Sequence, residues 1–126
     1  MEFPKDLKYT KDHEWIRVDG DTGVIGITEY AQGELGDVVF VELPGVGASL
    51  QQGKQFGTIE AVKTVSDLFA PVSGEVVAVN DTLKDSPETV NKEPYGNGWM
   101  VKVRIGNKSE LDSLLGYEKY QEMVGK

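Results

Sequence analysis

Two β-branched runs flank Val62-Lys63 with no Gly or Pro between them: Thr58-Ile59-Glu60-Ala61 before and Thr64-Val65-Ser66-Asp67-Leu68-Phe69-Ala70 after. A tight hairpin through this stretch puts the Lys63 amine at its tip, in water, where a modifying enzyme could reach it. The plainer reading is a solubilising surface charge. The chain has other lysines that need no further explanation, and spacing alone does not separate the two roles. A Schiff-base lysine is a third possibility. It requires a desolvated amine in a pocket, and a hairpin tip is the wrong place for one.

Other chemistry is bounded by composition. The 126 residues contain no cysteine, which excludes disulfides, thiol nucleophiles and cysteine metal sites. His13 is the only histidine. No second histidine follows His13-Glu14-Trp15 at helical spacing, so this is not a zinc-protease motif. A two-histidine metal site cannot form within one chain. Thirteen basic residues stand against 21 acidic ones, a formal net charge of -8. Charge of that sign repels phosphate backbones and anionic membrane surfaces, so neither nucleic acid nor membrane is an expected partner. No apolar run approaches a bilayer span. The start, Met1-Glu2-Phe3-Pro4-Lys5-Asp6, has neither signal-peptide nor transit composition. The expected location is the cytoplasm, although a trimmed mitochondrial form would read similarly.

The elements that must position Lys63 read as short strands joined by tight turns, in one domain over residues 1–126. Glu14 to Val18 and Gly23 to Ile27 form strands around the turn Asp19-Gly20-Asp21-Thr22. Thr28 can N-cap one or two helical turns to Leu35. Asp37 to Leu43 is a strand that stops at Pro44-Gly45. Lys54 to Ala61, Val65 to Ala70 and Glu75 to Val79 follow as strands. Asp81 to Pro94 is polar, holds two prolines, and predicts a loop with one short helix at most. Trp99 to Ile105 alternates Trp99, Val101, Val103 and Ile105 against Met100, Lys102 and Arg104, a half-buried strand. Ser109, as N-cap with Asp112 three residues on, predicts a helix to Leu115. After Gly116 a last helix runs Tyr117 to Val124, with Tyr117, Tyr120, Met123 and Val124 on its inner face.

Gly36-Asp37-Val38-Val39-Phe40-Val41 is echoed by Gly74-Glu75-Val76-Val77-Ala78-Val79. Each is followed by a turn and a leucine, Leu50 or Leu83. The echo suits two facing sheets related by a pseudo-two-fold axis, each burying one apolar face against the other. Chance also accounts for it, because Gly-acid-Val-Val is a common strand opening.

Glu60-Ala61-Val62-Lys63-Thr64, followed by Ala70-Pro71-Val72-Ser73-Gly74-Glu75-Val76, resembles the acceptor site of lipoyl and biotinyl carrier domains. Biotin carriers place Met on both sides of the lysine. Val62 and Thr64 stand here, which favours lipoate. The resemblance extends over nearly the whole chain. Tyr9-Thr10-Lys11-Asp12-His13-Glu14-Trp15, Gly26-Ile27-Thr28-Glu29-Tyr30-Ala31-Gln32, Leu35-Gly36-Asp37-Val38-Val39, Asn97-Gly98-Trp99 and Leu115-Gly116-Tyr117-Glu118 look like blocks of the glycine cleavage system H-protein family. A simple lipoyl domain of a 2-oxoacid dehydrogenase has neither the His-Glu-Trp start nor a C-terminal helix.

That resemblance implies a mainly β fold: a flattened barrel or sandwich of two antiparallel sheets, lipoyl-domain-like, with short helices and a C-terminal helix. It implies a non-catalytic carrier with lipoic acid on Lys63. The carrier takes an aminomethyl group from a pyridoxal-phosphate glycine decarboxylase to a tetrahydrofolate-dependent aminomethyltransferase. Dihydrolipoamide dehydrogenase reoxidises it, and lipoate-attaching enzymes load it. The alternatives are a lipoate relay or a biotinyl carrier. By the same resemblance Glu14 is the first candidate to stabilise a cationic arm in a docking cleft, and Ser66 and Asp67 come next. His13 is expected to be structural or a partner contact. Trp15, Trp99 and the last helix's tyrosines are expected to pack in the core.

Overall fold

Period-two apolar runs punctuated by turn residues build nine strands. The computed structural model describes residues 1–126. The strands are β1 (Lys8–Tyr9), β2 (Glu14–Asp19), β3 (Thr22–Ile27), β4 (Val38–Glu42), β5 (Ser49–Leu50), β6 (Gln55–Ala61), β7 (Val65–Phe69), β8 (Gly74–Val79) and β9 (Val101–Ile105). The helices are α1 (Glu29–Leu35), α2 (Thr82–Asp85), α3 (Thr89–Lys92) and α4 (Tyr117–Met123), with a 3₁₀ turn over Lys108–Ser113. One antiparallel sheet has the order β1-β2-β3-β9-β8-β5 and the other β4-β6-β7. They stack as a sandwich and do not close into a barrel.

The inner faces meet in one core. Ile16, Ile25, Val76, Val101 and Val103 of the larger sheet pack toward Val38, Val41, Ile59 and Leu68 of the smaller. The outer face of the larger sheet is covered too. Leu7, Tyr9, Trp15 and Tyr120 form a second cluster there, under α4 and the N-terminal segment. Glu14, Trp15 and Ile16 are consequently all buried in succession, where a strand with one wet face would alternate. The two echoed segments do fall in different sheets, as β4 and β8. Their ladders are irregular at the same place, between Val38 and Phe40 and between Val76 and Ala78. The shared bulge gives the echo a structural basis.

Four local expectations need correction. Asp81 to Pro94 holds two helical turns, α2 and α3, because Leu83 and Val90 are both buried and plug the core. The segment after Gly106 is 3₁₀, and its cap is Asn107, whose side chain accepts from the Ser109 amide at 3.1 Å; Ser109 is inside the turn. In α4, Tyr120 is buried while Met123 is exposed, since Tyr117, Tyr120 and Val124 already fill the inward stripe. Trp99 is half-buried and carries the Lys102 ammonium 5.0 Å from its ring centre, whereas Met100 is fully buried. The alternation begins only at Val101, where pairing with β3 starts.

Candidate functional site

Lys63 is exposed at the tip of the β6–β7 hairpin. The Ala61 amide bonds the Thr64 carbonyl at 2.8 Å and closes the turn. The Val62 amide bonds the Asp37 carbonyl at 3.0 Å and ties the tip to the entry of β4. That entry is fixed from a segment expected to be loop. Asn91 of α3 accepts from the Val38 amide and donates to the Gly36 carbonyl and to Gln32 Oε1, at 2.8–2.9 Å. Gly36 has φ +83°, where side chains are disfavoured. A Cβ there would stand 3.3 Å from Lys63 Cε, so the bare glycine gives the lysine stem room across the end of α1. The Lys63 ammonium takes part in none of the chain's four ion pairs. The amine is therefore presented with no carboxylate holding it down.

From this tip β7 runs along the edge of the smaller sheet toward Glu14. Val65 to Phe69 is four steps, roughly 13 Å of strand. The Phe69 amide donates to Glu14 Oε2 at 3.3 Å, and Thr10 Oγ1 donates to Glu14 Oε1 at 2.6 Å. Glu14 is only 2% exposed, so it is not the solvated strand residue that its position on β2 would suggest. Burial pushes its carboxyl up to about 7, with the bond from Thr10 opposing the shift. At neutral pH this group is poised between acid and carboxylate.

Two concavities meet at Glu14. One, of about 380 Å³, is lined by Tyr9, Thr10, Asp12, Phe69, Pro71 and Leu115 among others. The second, of about 130 Å³, lies along β7 and brings Glu14, Ser66 and Asp67 together with His13 and Glu34. The three expected cleft residues thus all border this concavity, Ser66 from the inward row of β7 and Asp67 at its rim, with its side chain on the outward row. Ser66 is half-buried in the inward-facing row with Ile59, and Asp67 is exposed with a carboxylate oxygen 3.0 Å from Gln55 Nε2.

Sequence reasoning missed Thr10 and the Phe69 amide, the two groups that hold Glu14. The spacing from Thr10 to Glu14 was the available signal. Across the β1–β2 turn the Thr10 amide donates to the Glu14 carbonyl and the Glu14 amide donates to Thr10 Oγ1, and this places hydroxyl beside carboxyl. The turn forces His13 to φ +73°, a conformation that non-glycine residues rarely adopt. Burial lowers the His13 pKa, and its Nδ1 lies 2.9 Å from the Tyr120 hydroxyl. Tyr120 in turn lies 2.7 Å from Thr28 Oγ1, the N-cap of α1. Thr28 accepts from the Ala31 amide. It can then donate to Tyr120, and Tyr120 to neutral His13. This chain of bonds is structural, and it fixes one side of the cleft.

The sequence and the fold have counterparts among known proteins. The family model described as glycine cleavage H-protein matches residues 7–126. The chain belongs to the glycine cleavage H-protein family. A glycine cleavage system H protein of Staphylococcus carnosus (strain TM300) is 58% identical over 125 residues, 99% of each chain. One of Carboxydothermus hydrogenoformans (strain ATCC BAA-161 / DSM 6008 / Z-2901) is 58% identical over 121 residues, covering 96% of this chain and 93% of that protein. The crystal structure of a glycine cleavage system H protein from Mycobacterium marinum superposes with a TM-score of 0.87 at 42% identity, covering 98% and 99% of the two chains. Membership in the H-protein family makes this chain the lipoyl-carrying shuttle of the glycine cleavage system, in preference to a biotinyl carrier or a lipoate relay.

Proposed function

We propose that Lys63 bears the lipoyl group through an amide at Nζ, and that Glu14, Ser66 and Asp67 line the cleft that receives the arm. The observation that carries this is a free amine at a hairpin tip, joined by one edge strand to a buried carboxyl. The residues present fit the group. Phe69, Pro71 and Leu115 offer apolar walls to an acyl chain, and Thr10 and Glu14 offer a polar end. When bound, the lipoyl group supplies a dithiolane that accepts an aminomethyl unit and is later reoxidised.

The chain's own residues bind, orient and shield. The hairpin holds Lys63 outward, so one side chain meets several active sites as a local search at high effective concentration. The cleft walls exclude water. Glu14, as carboxylate, attracts an ammonium strongly in that low-dielectric setting. A cation brought there favours the ionised acid, so its arrival near neutral pH releases a proton from Glu14.

The partners we infer are glycine decarboxylase, aminomethyltransferase, dihydrolipoamide dehydrogenase and a lipoate-attaching enzyme. The location we infer is the cytoplasm. The bacterial relatives support it, and no helix is long and apolar enough to cross a membrane. Reconstitution with purified decarboxylase tests the lysine assignment. Lys63→Arg should fold like the parent and support no glycine decarboxylation. Activity retained in that variant would refute it.

A further inference from the structure

The outer face of the smaller sheet carries an apolar patch that the carrier role has not used. The ladders β4–β6 and β6–β7 put Phe40, Glu60 and Val65 in one cross-strand row. Residues directly opposite one another point to the same side of a sheet, so these three share the outward face. Phe40 is 52% exposed, Val65 62%, and Val62 beside Lys63 is 74% exposed. The next row on this face is Glu42, Thr58 and Asp67. Every charge in the two rows is acidic. An apolar centre among like charges, clustered at one functional residue, marks an interaction site.

We propose that this face docks the enzyme that acylates Lys63. The proposal rests on the reading of Lys63 as the lipoyl-bearing residue. Only an acylating enzyme must bring its reactive carbon to Nζ itself, and so must touch the tip and the residues around it. Enzymes that work on the finished arm meet its far end. In the step, the free Lys63 amine attacks the carbonyl carbon of a lipoyl adenylate. The amide C–N bond forms and the C–O bond to phosphate breaks. AMP leaves with the bonding electrons, and the surplus proton passes to solvent. Glu42, Glu60 and Asp67 select a partner whose entrance is apolar with a lysine- or arginine-rich rim.

Phe40→Thr, Val65→Thr and the double variant test this. Threonine keeps the β preference, and neither side chain is in the core. Each protein is incubated with lipoic acid, ATP and a purified lipoate–protein ligase. Intact mass against time gives kcat and KM, and titration of ligase with each chain gives Kd. Val46→Thr, an exposed valine in the loop beyond the far end of β4, is the control, and thermal melting checks the fold. The expected result is a fall in kcat/KM of about tenfold or more in the double variant, carried by KM and matched by Kd, with the control unchanged. Unchanged acylation kinetics in the double variant would overturn the proposal. So would a loss confined to glycine-dependent loading by the decarboxylase, which would give the face to that enzyme. An unsubstituted chain that never gains the lipoyl mass would sink the lysine assignment and this proposal together, whereas normal acylation of the variants sinks this proposal alone.

Discussion

Glu14 is costly to bury, and the cost is measurable. Burial pushes its carboxyl up to about 7 from the ordinary 4.5. Between those values the folded chain holds a proton that the unfolded chain has lost. Stability therefore falls as pH rises through that window and is flat above it. The difference is roughly 3 kcal/mol. Glu14→Gln keeps the shape without the charge. It should stabilise the protein by about 2–3 kcal/mol at pH 8 and by nearly nothing at pH 4. Urea denaturation at the two pH values measures this, and an equal gap at both would contradict it. The poised acid was not legible in Glu14-Trp15-Ile16-Arg17-Val18, which reads as an ordinary half-wet strand. Its burial comes from Thr10 across one turn and Phe69 from a distant strand edge, and no local pattern encodes either. The exposed hairpin tip at Lys63 was legible because it is built from adjacent residues, whereas the role proposed for its amine came only from the family motif around it.

The hairpin is only as rigid as what holds it. Asn91 makes three hydrogen bonds that tie α3 to the end of α1 and the start of β4, and Asp37 then bonds the Val62 amide at the tip. Asn91→Ala leaves the Val38 amide and the Gly36 carbonyl unpaired, and should cost about 1–3 kcal/mol. Thermal melting checks the loss. Faster amide exchange at Val62 than in the parent would show that it reaches the hairpin. Tyr120 plays the matching part for α4. It stacks on Tyr9 with ring centres 4.6 Å apart and planes 5° from parallel, and its hydroxyl joins His13 to the Thr28 cap. Tyr120→Phe keeps the stacking and loses the bonds, so it should cost about 1–3 kcal/mol by denaturation. An unaltered stability would show the bonds to be idle. The helical spacing of Tyr117, Tyr120 and Val124 revealed the helix. It did not reveal the hydroxyl partners, which lie 92 and 107 residues away. Asn91 was hidden for a related reason. Single helical turns are too short to give a periodic signal, and here Leu83 and Val90 stabilise them by filling the core.

At the scale of the molecule, the two-sheet plan was legible from the alternation of β-branched runs and from the Gly-acid-Val-Val echo. The second cluster over the larger sheet was not, because it is assembled from both ends of the chain. The net charge of -8 is a whole-molecule property with a kinetic consequence. Partners with basic entrances are steered toward this surface, and salt screens the attraction over about 10 Å at 0.1 M. Transfer rates with the partner enzymes should fall as ionic strength rises. Stopped-flow rates that stay flat from low to high salt would count against electrostatic docking. All of these expectations converge on one amine. Peptide mass spectrometry of the chain made in cells supplied with lipoate is the most direct test. It should find a single lipoyl amide on Lys63 and none anywhere in the Lys63→Arg variant. A bare Lys63 in such cells, or a lipoyl group on another lysine, would contradict the account.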